Sequence, residues 1–208
     1  LEQIARLVRV AAGIGIRKVR LTGGEPLVRR NVVQLVEYIR DIDGIDDISL
    51  TTNGVLFADM AADLQGAGLD RVNFSLDSLV EEKYGYITRV GKLGAVMKSI
   101  DLALAMGMDP VKINTVLIRG FNDNEILDFA QLAYARPLHI RFIEFMPVGD
   151  LQFWDRDKIV TSEDTRRVIK KKYHLLEGKK IKGNGPAKYY YLEGGKGSVG
   201  FISPMSNH

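Results

Sequence analysis

A tight, glycine-rich turn follows the first strand-like segment of the chain. The apolar-rich residues 16–22 predict a strand that stops at Gly23-Gly24-Glu25-Pro26. The two glycines allow a sharp turn and leave main-chain groups uncovered by side chains, and the proline stiffens the exit. Small molecules usually bind at the carboxyl ends of parallel strands in α/β proteins. The pattern predicts a ligand-binding turn or, more simply, a strand–helix turn that needs glycine for its geometry.

Polar residues also end the other predicted strands. They are Thr51-Thr52-Asn53-Gly54, Ser75 with Asp77, Asn114, and Glu144. Polar groups at several neighbouring strand ends suit the mouth of a barrel better than the single crevice of an open sheet. Asn53 and Asp77 suit local hydrogen bonds that hold loops in shape. We assign a catalytic role to none of these side chains.

Strand-like and helix-like segments alternate along most of the chain. Apolar spacings of three and four predict helices near residues 2–12, 31–41, 58–67, 92–106 and 124–134. Short β-branched runs predict strands near 17–22, 47–51, 70–75, 111–116 and 138–144. This alternation implies a parallel sheet with right-handed crossovers. Because the chain opens on a helix, we expect the first strand of the barrel to be missing.

The pattern changes after Pro147. Serine or threonine capping and acidic residues predict a helix from residue 161 to about 173, and short strands are predicted at 174–177, 187–192 and 198–202. The expected fold class is therefore α/β, an incomplete TIM-like barrel with a small C-terminal α+β extension.

The composition excludes several classes of site. The chain has no cysteine, which excludes disulfides, cysteine nucleophiles and cysteine-ligated zinc or iron–sulfur sites within these 208 residues. Its three histidines, at positions 139, 174 and 208, are too few and too scattered to predict a zinc site or a catalytic triad. No apolar run approaches the roughly 20 residues that span a bilayer, and no signal-peptide pattern is present. We expect a cytoplasmic protein.

The net charge of +3 hides an asymmetry along the chain. Residues 158–196 carry eleven Lys/Arg against four Asp/Glu, a net +7, whereas the first 157 residues carry eighteen against twenty-two, a net −4. A basic segment can bind an anion or nucleic acid, or simply form a solvated face. The segment contains three consecutive tyrosines, 189–191, but no nucleic-acid motif, so we expect no nucleic-acid partner.

Six segments, taken in order, resemble one enzyme family. Gly23-Gly24-Glu25-Pro26 is similar to the GGEP motif of radical S-adenosylmethionine (SAM) enzymes, and the wider set resembles the GTP 3′,8-cyclases, the molybdenum cofactor biosynthesis protein A family. The segments lie at residues 20–30, 50–54, 71–77, 111–114, 140–147 and 185–190. The resemblance covers essentially the whole chain. It implies an incomplete (β/α)6 barrel over residues 1–147, closed by a C-terminal region over residues 148–208.

The resemblance implies three SAM-binding residues. Main-chain groups of Gly24 would contact the amino end of SAM, the Ser75 hydroxyl its carboxylate or ribose, and Met146 its adenine. The simpler alternatives are that Ser75 caps a strand end and that Met146 belongs to the core.

The resemblance implies four GTP-binding residues, Arg20, Thr51, Lys112 and Arg141. Arginine and lysine suit the negative charges of a triphosphate. Lys112 lies between two apolar residues, so its side chain faces either the barrel lumen or the helices outside; we expect the lumen, because alternate strand positions face it. For Arg141 a structural salt bridge with Glu144 is the open alternative.

In the resembled family a SAM-derived 5′-deoxyadenosyl radical abstracts hydrogen from C3′ of the GTP ribose, and C3′ then bonds to guanine C8. Two [4Fe–4S] clusters, each held by three cysteines, and an electron donor are implied, with a downstream cyclic pterin synthase and often a homodimer. This chain departs from the pattern because it has no cysteine. We therefore expect the cluster ligands to lie outside it and the isolated 208 residues to be inert. The alternatives are another radical SAM enzyme or a cluster-free nucleotide-binding barrel without catalysis.

Overall fold

A computed structural model describes residues 1–89, 91–147, 155–178, 181–182 and 185–206. The helices are α1 Glu2–Gly13, α2 Val32–Arg40, α3 Phe57–Gly66, α4 Glu81–Thr88, α5 Leu93–Ala105, α6 Ile126–Ala135 and α7 Ser162–Lys170. The strands are β1 Lys18–Leu21, β2 Asp47–Thr52, β3 Arg71–Ser75, β4 Val111–Leu117, β5 Leu138–Glu144, β6 Leu175–Glu177, β7 Lys188–Leu192 and β8 Ser198–Ile202. The chain divides into two compact units, Leu1–Ser75 with Gly94–Val111 and Leu76–Leu93 with Lys112–His208.

The first unit contains a parallel sheet in the order β1-β2-β3. One face of its strands is apolar and fully buried, with Ile48, Leu50, Val72 and Phe74 at its centre. Helices α2, α3 and α5 contribute the apolar side chains of this core, which is how strands covered by helices are built. Phe57 of α3 contacts Phe74 edge to face, with ring centroids 5.3 Å apart.

Gly54 ends the β2 turn in a conformation that requires glycine. Its φ is +82°, and a Cβ there would lie 2.8 Å from the Phe74 ring and 3.0 Å from Val96. The turn after β2 can therefore approach the core only because this residue has no side chain.

The second unit orders its strands β4-β5-β8-β7-β6. β8 pairs with β5 in parallel, and β7 pairs antiparallel with both β8 and β6. Helices α6 and α7 cover one face. The core includes three edge-to-face or stacked aromatic contacts: Phe129 with Phe142, Phe142 with Phe201, and Tyr190 with Phe201.

The fold class expected from the sequence is confirmed. Both units are mixed α/β with parallel strand pairs, and neither run of strands returns to its first member. The predicted elements are found to within three residues at their ends, but α4 was not predicted. Within the residues described, no helix is long and apolar enough to cross a bilayer.

Candidate functional site

The three strands of the first unit present one polar face. Side chains alternate along each strand, and the register aligns Lys18 with Asp47, Arg20 with Ser49, and Thr51 with Asn73. Ser75 continues the same alternation on β3. The predicted residues Arg20, Thr51 and Ser75 therefore lie on one face, opposite the apolar core. Lys18 shares that face and was not among the predicted residues, although its spacing of two from Arg20 indicates it.

A buried ion pair lies at the amino end of this polar face. Asp47 and Arg71 are each 2% exposed, and the Arg71 guanidinium donates from Nε to Asp47 Oδ1 at 2.7 Å and from Nη2 to Oδ2. Asn73 Nδ2 donates to the Leu50 carbonyl at 3.1 Å and to Thr51 Oγ1 at 3.3 Å. These bonds fix the position of the Thr51 hydroxyl.

Glu25 ties the glycine turn to the end of β2. Its carboxylate accepts hydrogen bonds from Thr52 Oγ1 at 2.6 Å, the Asn53 N–H at 2.7 Å and the Leu27 N–H at 3.0 Å. A Cβ built on Gly23 or Gly24 would meet no atom within 4 Å. The hydrogen bonds of Glu25 thus hold the turn against the end of β2, while the main chain of Gly24 is open to a ligand. Sequence reasoning gave Glu25 no role, because its partners lie 27 and 28 residues away.

In the second unit, Lys112 and Arg141 belong to one face. Lys112 is 4% exposed; its Nζ donates to the Lys182 carbonyl at 2.6 Å and lies 5.8 Å from the centre of the Tyr189 ring. Tyr189 pairs with Gly200, and Gly200 pairs with Arg141, so the side chains of Tyr189 and Arg141 lie on the same face of the sheet. Lys112, which lies near the Tyr189 ring, is on that face too. A Cβ on Gly185 would lie 3.7 Å from Arg141 Nη1. Two buried cations thus lie close to residues that precede β7, Lys112 to Lys182 and Arg141 to Gly185.

Asn114 is a further candidate on β4. It follows Lys112 by two residues and therefore shares its face. Its Oδ1 is buried, and it has no hydrogen-bond partner in the part of the chain that the structure describes. A buried acceptor of this kind requires a donor. The sequence placed Asn114 at a strand end but assigned it no ligand.

The structure places the two remaining SAM-side predictions at exposed positions. Met146 lies just past the end of β5 and is 39% exposed, so it is not a core residue. Ser75 ends β3 and is also exposed. Both side chains are open to a ligand, and their roles in binding stay predictions.

Asn53 makes the expected local hydrogen bond, whereas Asp77 accepts its hydrogen bond from β4, 39 residues later, rather than from within its own loop. Asn53 Oδ1 accepts from the Val55 N–H at 3.0 Å, and Asp77 Oδ1 accepts from the Val116 N–H at 2.8 Å. Burial raises the pKa of Asp77, and the Val116 hydrogen bond opposes that rise only partly.

Glu144 receives hydrogen bonds from two separate segments of the second unit. The donors are the Ser162 N–H at 2.7 Å, the Ser206 hydroxyl at 2.6 Å, the Ser206 N–H at 3.0 Å and the Met205 N–H at 3.1 Å. Alternation along β5 puts Glu144 on the face opposite Arg141. Burial alone would raise the pKa of Glu144, but these hydrogen bonds outweigh it and lower the pKa.

The lowered pKa of Glu144 predicts a pH-dependent contribution to stability. The contribution is complete above the unfolded value of 4.5 and is lost as the pH falls below it through the folded pKa. Buried Asp77 acts with the opposite sign, because its raised pKa destabilises the fold as the pH rises. We therefore compare urea unfolding of wild type and Glu144→Gln between about pH 3 and 7. The stability difference should shrink below about pH 4.5; a difference that is constant with pH would contradict the assignment.

Two of the cavities that lie within single units adjoin the strands. One of about 360 Å³ adjoins the glycine turn and β1, with Arg20, Thr22 and Gly23 in its lining. A larger one of about 560 Å³ lies between α7 and the β7–β8 pair, and none of the predicted site residues lines it. Size alone therefore does not identify the site, and the polar strand faces are the better guide.

The residues at hand do not fit an iron–sulfur cluster. The sequence has no cysteine to supply thiolate ligands. Within the described ranges, no group of three or more His, Asp or Glu residues could hold a metal ion.

The sequence matches the radical SAM superfamily over residues 1–133. The chain belongs to this superfamily. A second match, to the molybdenum cofactor synthesis C-terminal family, covers residues 138–208. The superfamily assignment agrees with the open glycine turn at the end of β1 and with the parallel strands that follow it.

Two bacterial relatives of this radical SAM chain are named GTP 3′,8-cyclase. The protein from Syntrophomonas wolfei subsp. wolfei is 63% identical over 208 residues, and the one from Desulforamulus reducens is 52% identical over 209 residues. Each alignment covers the whole of this chain and 64% of the relative. The chain thus spans slightly less than two thirds of their length.

A solved structure is similar in fold. Coproporphyrinogen III oxidase from Escherichia coli, described as a radical SAM enzyme, superimposes with a TM-score of 0.58 at 14% identity. The superposition covers 81% of this chain and 42% of that one. At this identity the likeness supports the barrel-type fold alone.

Proposed function

We propose that this chain supplies SAM-binding and GTP-binding residues of a GTP 3′,8-cyclase. The observation that carries the proposal is the polar strand face of the first unit, where Arg20, Thr51 and Ser75 lie together beside an open glycine turn. The names of the relatives and the match over residues 138–208 support the same activity.

Each unit, taken by itself, has residues that suit SAM. Main-chain groups of Gly24 are open to the amino end of SAM, and Ser75 and Met146 are exposed at strand ends. Asn114 Oδ1 is a buried acceptor that a hydroxyl or ammonium donor can satisfy. When SAM is bound, its one-electron reduction by a donor outside these residues would release methionine and supply the 5′-deoxyadenosyl radical that takes hydrogen from C3′ of the GTP ribose. The protein's part is to bind and orient both nucleotides and to exclude water.

The cations suit the triphosphate of GTP. Arg20 and Lys18 lie on the polar face of the first unit, and Lys112 and Arg141 lie on one face of the second. Arginine and lysine hydrogen-bond phosphate oxygens with charge assistance. Thr51, held by Asn73, offers a hydroxyl at a fixed position.

The cluster chemistry does not belong to residues of this chain, and we derive no step through it. The relatives have more than a third of their length without a counterpart here, and we place the ligands of two [4Fe–4S] clusters there. The proposal extends to a cytoplasmic location, an electron donor, a homodimer and a downstream cyclic pterin synthase. The second candidate is a cluster-free domain that binds nucleotide without catalysis, which needs only cations that the chain itself supplies, such as Arg20, Lys112 and Arg141.

Calorimetric titration of GTP, GDP, guanosine and SAM tests the proposal. We expect Arg20→Met and Lys112→Met each to weaken GTP binding by roughly tenfold or more, because each removes a charge-assisted hydrogen bond. Guanosine binding should change little. Arg30→Met, at an exposed position after the turn, is the matched control.

Two outcomes would contradict the proposal. One is wild-type protein that binds neither GTP nor SAM. The other is GTP binding that is equally strong in all three variants. Binding of GTP without any binding of SAM would favour the cluster-free candidate.

A further inference from the structure

At the carboxyl end of the second unit's parallel strands, one buried carboxylate on β5 accepts hydrogen bonds from the start of α7 and from the chain that follows β8. Glu144 is the last residue of β5 and is 2% exposed. β8 runs parallel to β5, with Ile143 paired to Ile202, so the two strands end side by side. Glu144 is therefore positioned to act on the chain that leaves each of them.

The donors to Glu144 belong to two segments, the start of α7 and the residues after β8. Oε1 accepts from the Ser162 N–H at the start of α7 and from the Ser206 hydroxyl, and Oε2 accepts from the N–H groups of Met205 and Ser206. The Ser203 hydroxyl also donates to the Ser162 hydroxyl at 2.6 Å, which joins the same two segments. Three of the four donors are main-chain N–H groups, so the carboxylate fixes backbone positions more than side-chain rotamers.

A neutral side chain could not reproduce this arrangement. A carboxylate only accepts, and both of its oxygens face N–H or O–H donors here. An amide would turn an NH2 group toward at least one of those donors. Losing the acceptor would leave buried main-chain donors without a partner, which is costly.

We propose that Glu144 is a positioning residue that fixes the exits of β5 and β8, and through the β5 exit the SAM-side residue Met146. The inference rests on the proposed function for its effect on SAM, but not for its effect on the backbone. Met146 follows Glu144 by two residues, so the direction in which residues 145–147 leave the strand depends on how Glu144 is held. Lys112 and Arg141 lie earlier in their strands and should keep their positions.

Glu144→Gln tests this inference, with Glu177→Gln as its matched control. Glu177 also ends a strand, β6, but is exposed. In the ligand-free protein we expect hydrogen exchange at the amides of Ser162, Met205 and Ser206 to speed up in Glu144→Gln while β5 amides stay protected. We expect SAM affinity to fall on the order of tenfold, as small misplacements of binding groups do, with GTP affinity unchanged.

A milder variant keeps the test decisive if Glu144→Gln does not fold. Ser206→Ala removes one donor and leaves the carboxylate and its three N–H partners in place. It should speed exchange at Met205 and Ser206 alone. Unchanged exchange in both variants would overturn the inference, as would equal losses of SAM and GTP affinity. If wild type binds neither nucleotide but the amides respond as expected, the proposed function fails and the positioning role of Glu144 for the backbone stands.

Discussion

Arg71→Met is expected to lower the free energy of unfolding by about 3–5 kcal/mol, because it leaves the Asp47 carboxylate buried without its cation. The two side chains are each 2% exposed and joined by two parallel hydrogen bonds. Arg71 begins β3 and Asp47 begins β2, so the pair fixes two neighbouring strands of the polar face at their amino ends. Urea unfolding of the two proteins at neutral pH measures the difference.

The double variant Asp47→Leu/Arg71→Met separates charge burial from packing. Replacing a whole buried ion pair by apolar side chains of similar size is often neutral or stabilising, so the double variant should recover most of the lost stability. Arg167→Met is the control, since that arginine is 66% exposed and pairs with Glu163 and Asp164 across one turn of α7. A single variant as stable as wild type, or a double variant less stable than the single, would contradict the role of the pair.

The strands and their two faces could be predicted from the sequence because apolar and polar residues alternate along them. Apolar residues at alternate positions, as in Ile48 and Leu50, identify the helix-covered face, and the intervening polar residues identify the other. The predicted residues Arg20 and Thr51 therefore fell on one face as soon as the register was known. Helix α4 was missed because it begins with three charged residues, contains Gly85 and has no clear apolar stripe.

The partners of Glu25 and Glu144 could not be predicted. Glu25 bonds to residues 27 and 28 positions later, and Glu144 to residues up to 62 positions later. A carboxylate at a strand end has the same appearance in sequence whether it binds a ligand or holds a loop. Only the fold brings Thr52, Asn53 or Ser206 within hydrogen-bond distance and decides between the two.

Glu25→Ala is expected to destabilise the turn and to weaken SAM binding more than GTP binding. The substitution removes the acceptor of three hydrogen bonds, from Thr52 Oγ1 and from the N–H groups of Asn53 and Leu27. Hydrogen bonds to a charged group contribute about 1.5–3 kcal/mol, and we expect a loss of about 2 kcal/mol because water can reach this half-exposed site.

The effect on ligands follows from what Glu25 joins. Glu25 follows Gly24 in the sequence, and its carboxylate accepts hydrogen bonds from the end of β2. It therefore fixes the position of the glycine turn relative to Thr51 and Thr52. Without it, the main chain of Gly24 should move while the cations Arg20 and Lys112 stay, because those lie on the strands themselves. SAM affinity should therefore fall on the order of tenfold, and GTP affinity should fall by less.

Glu37→Ala provides the matched control for Glu25→Ala, since Glu37 is an exposed carboxylate on α2 of the same unit. Thermal unfolding and titration of SAM and GTP should leave this control indistinguishable from wild type. A second variant, Thr52→Val, removes a single donor to Glu25 and should reproduce part of the SAM effect. If Glu25→Ala lost stability but kept its SAM affinity, the carboxylate would serve the fold alone, and the glycine turn would hold its binding geometry without it.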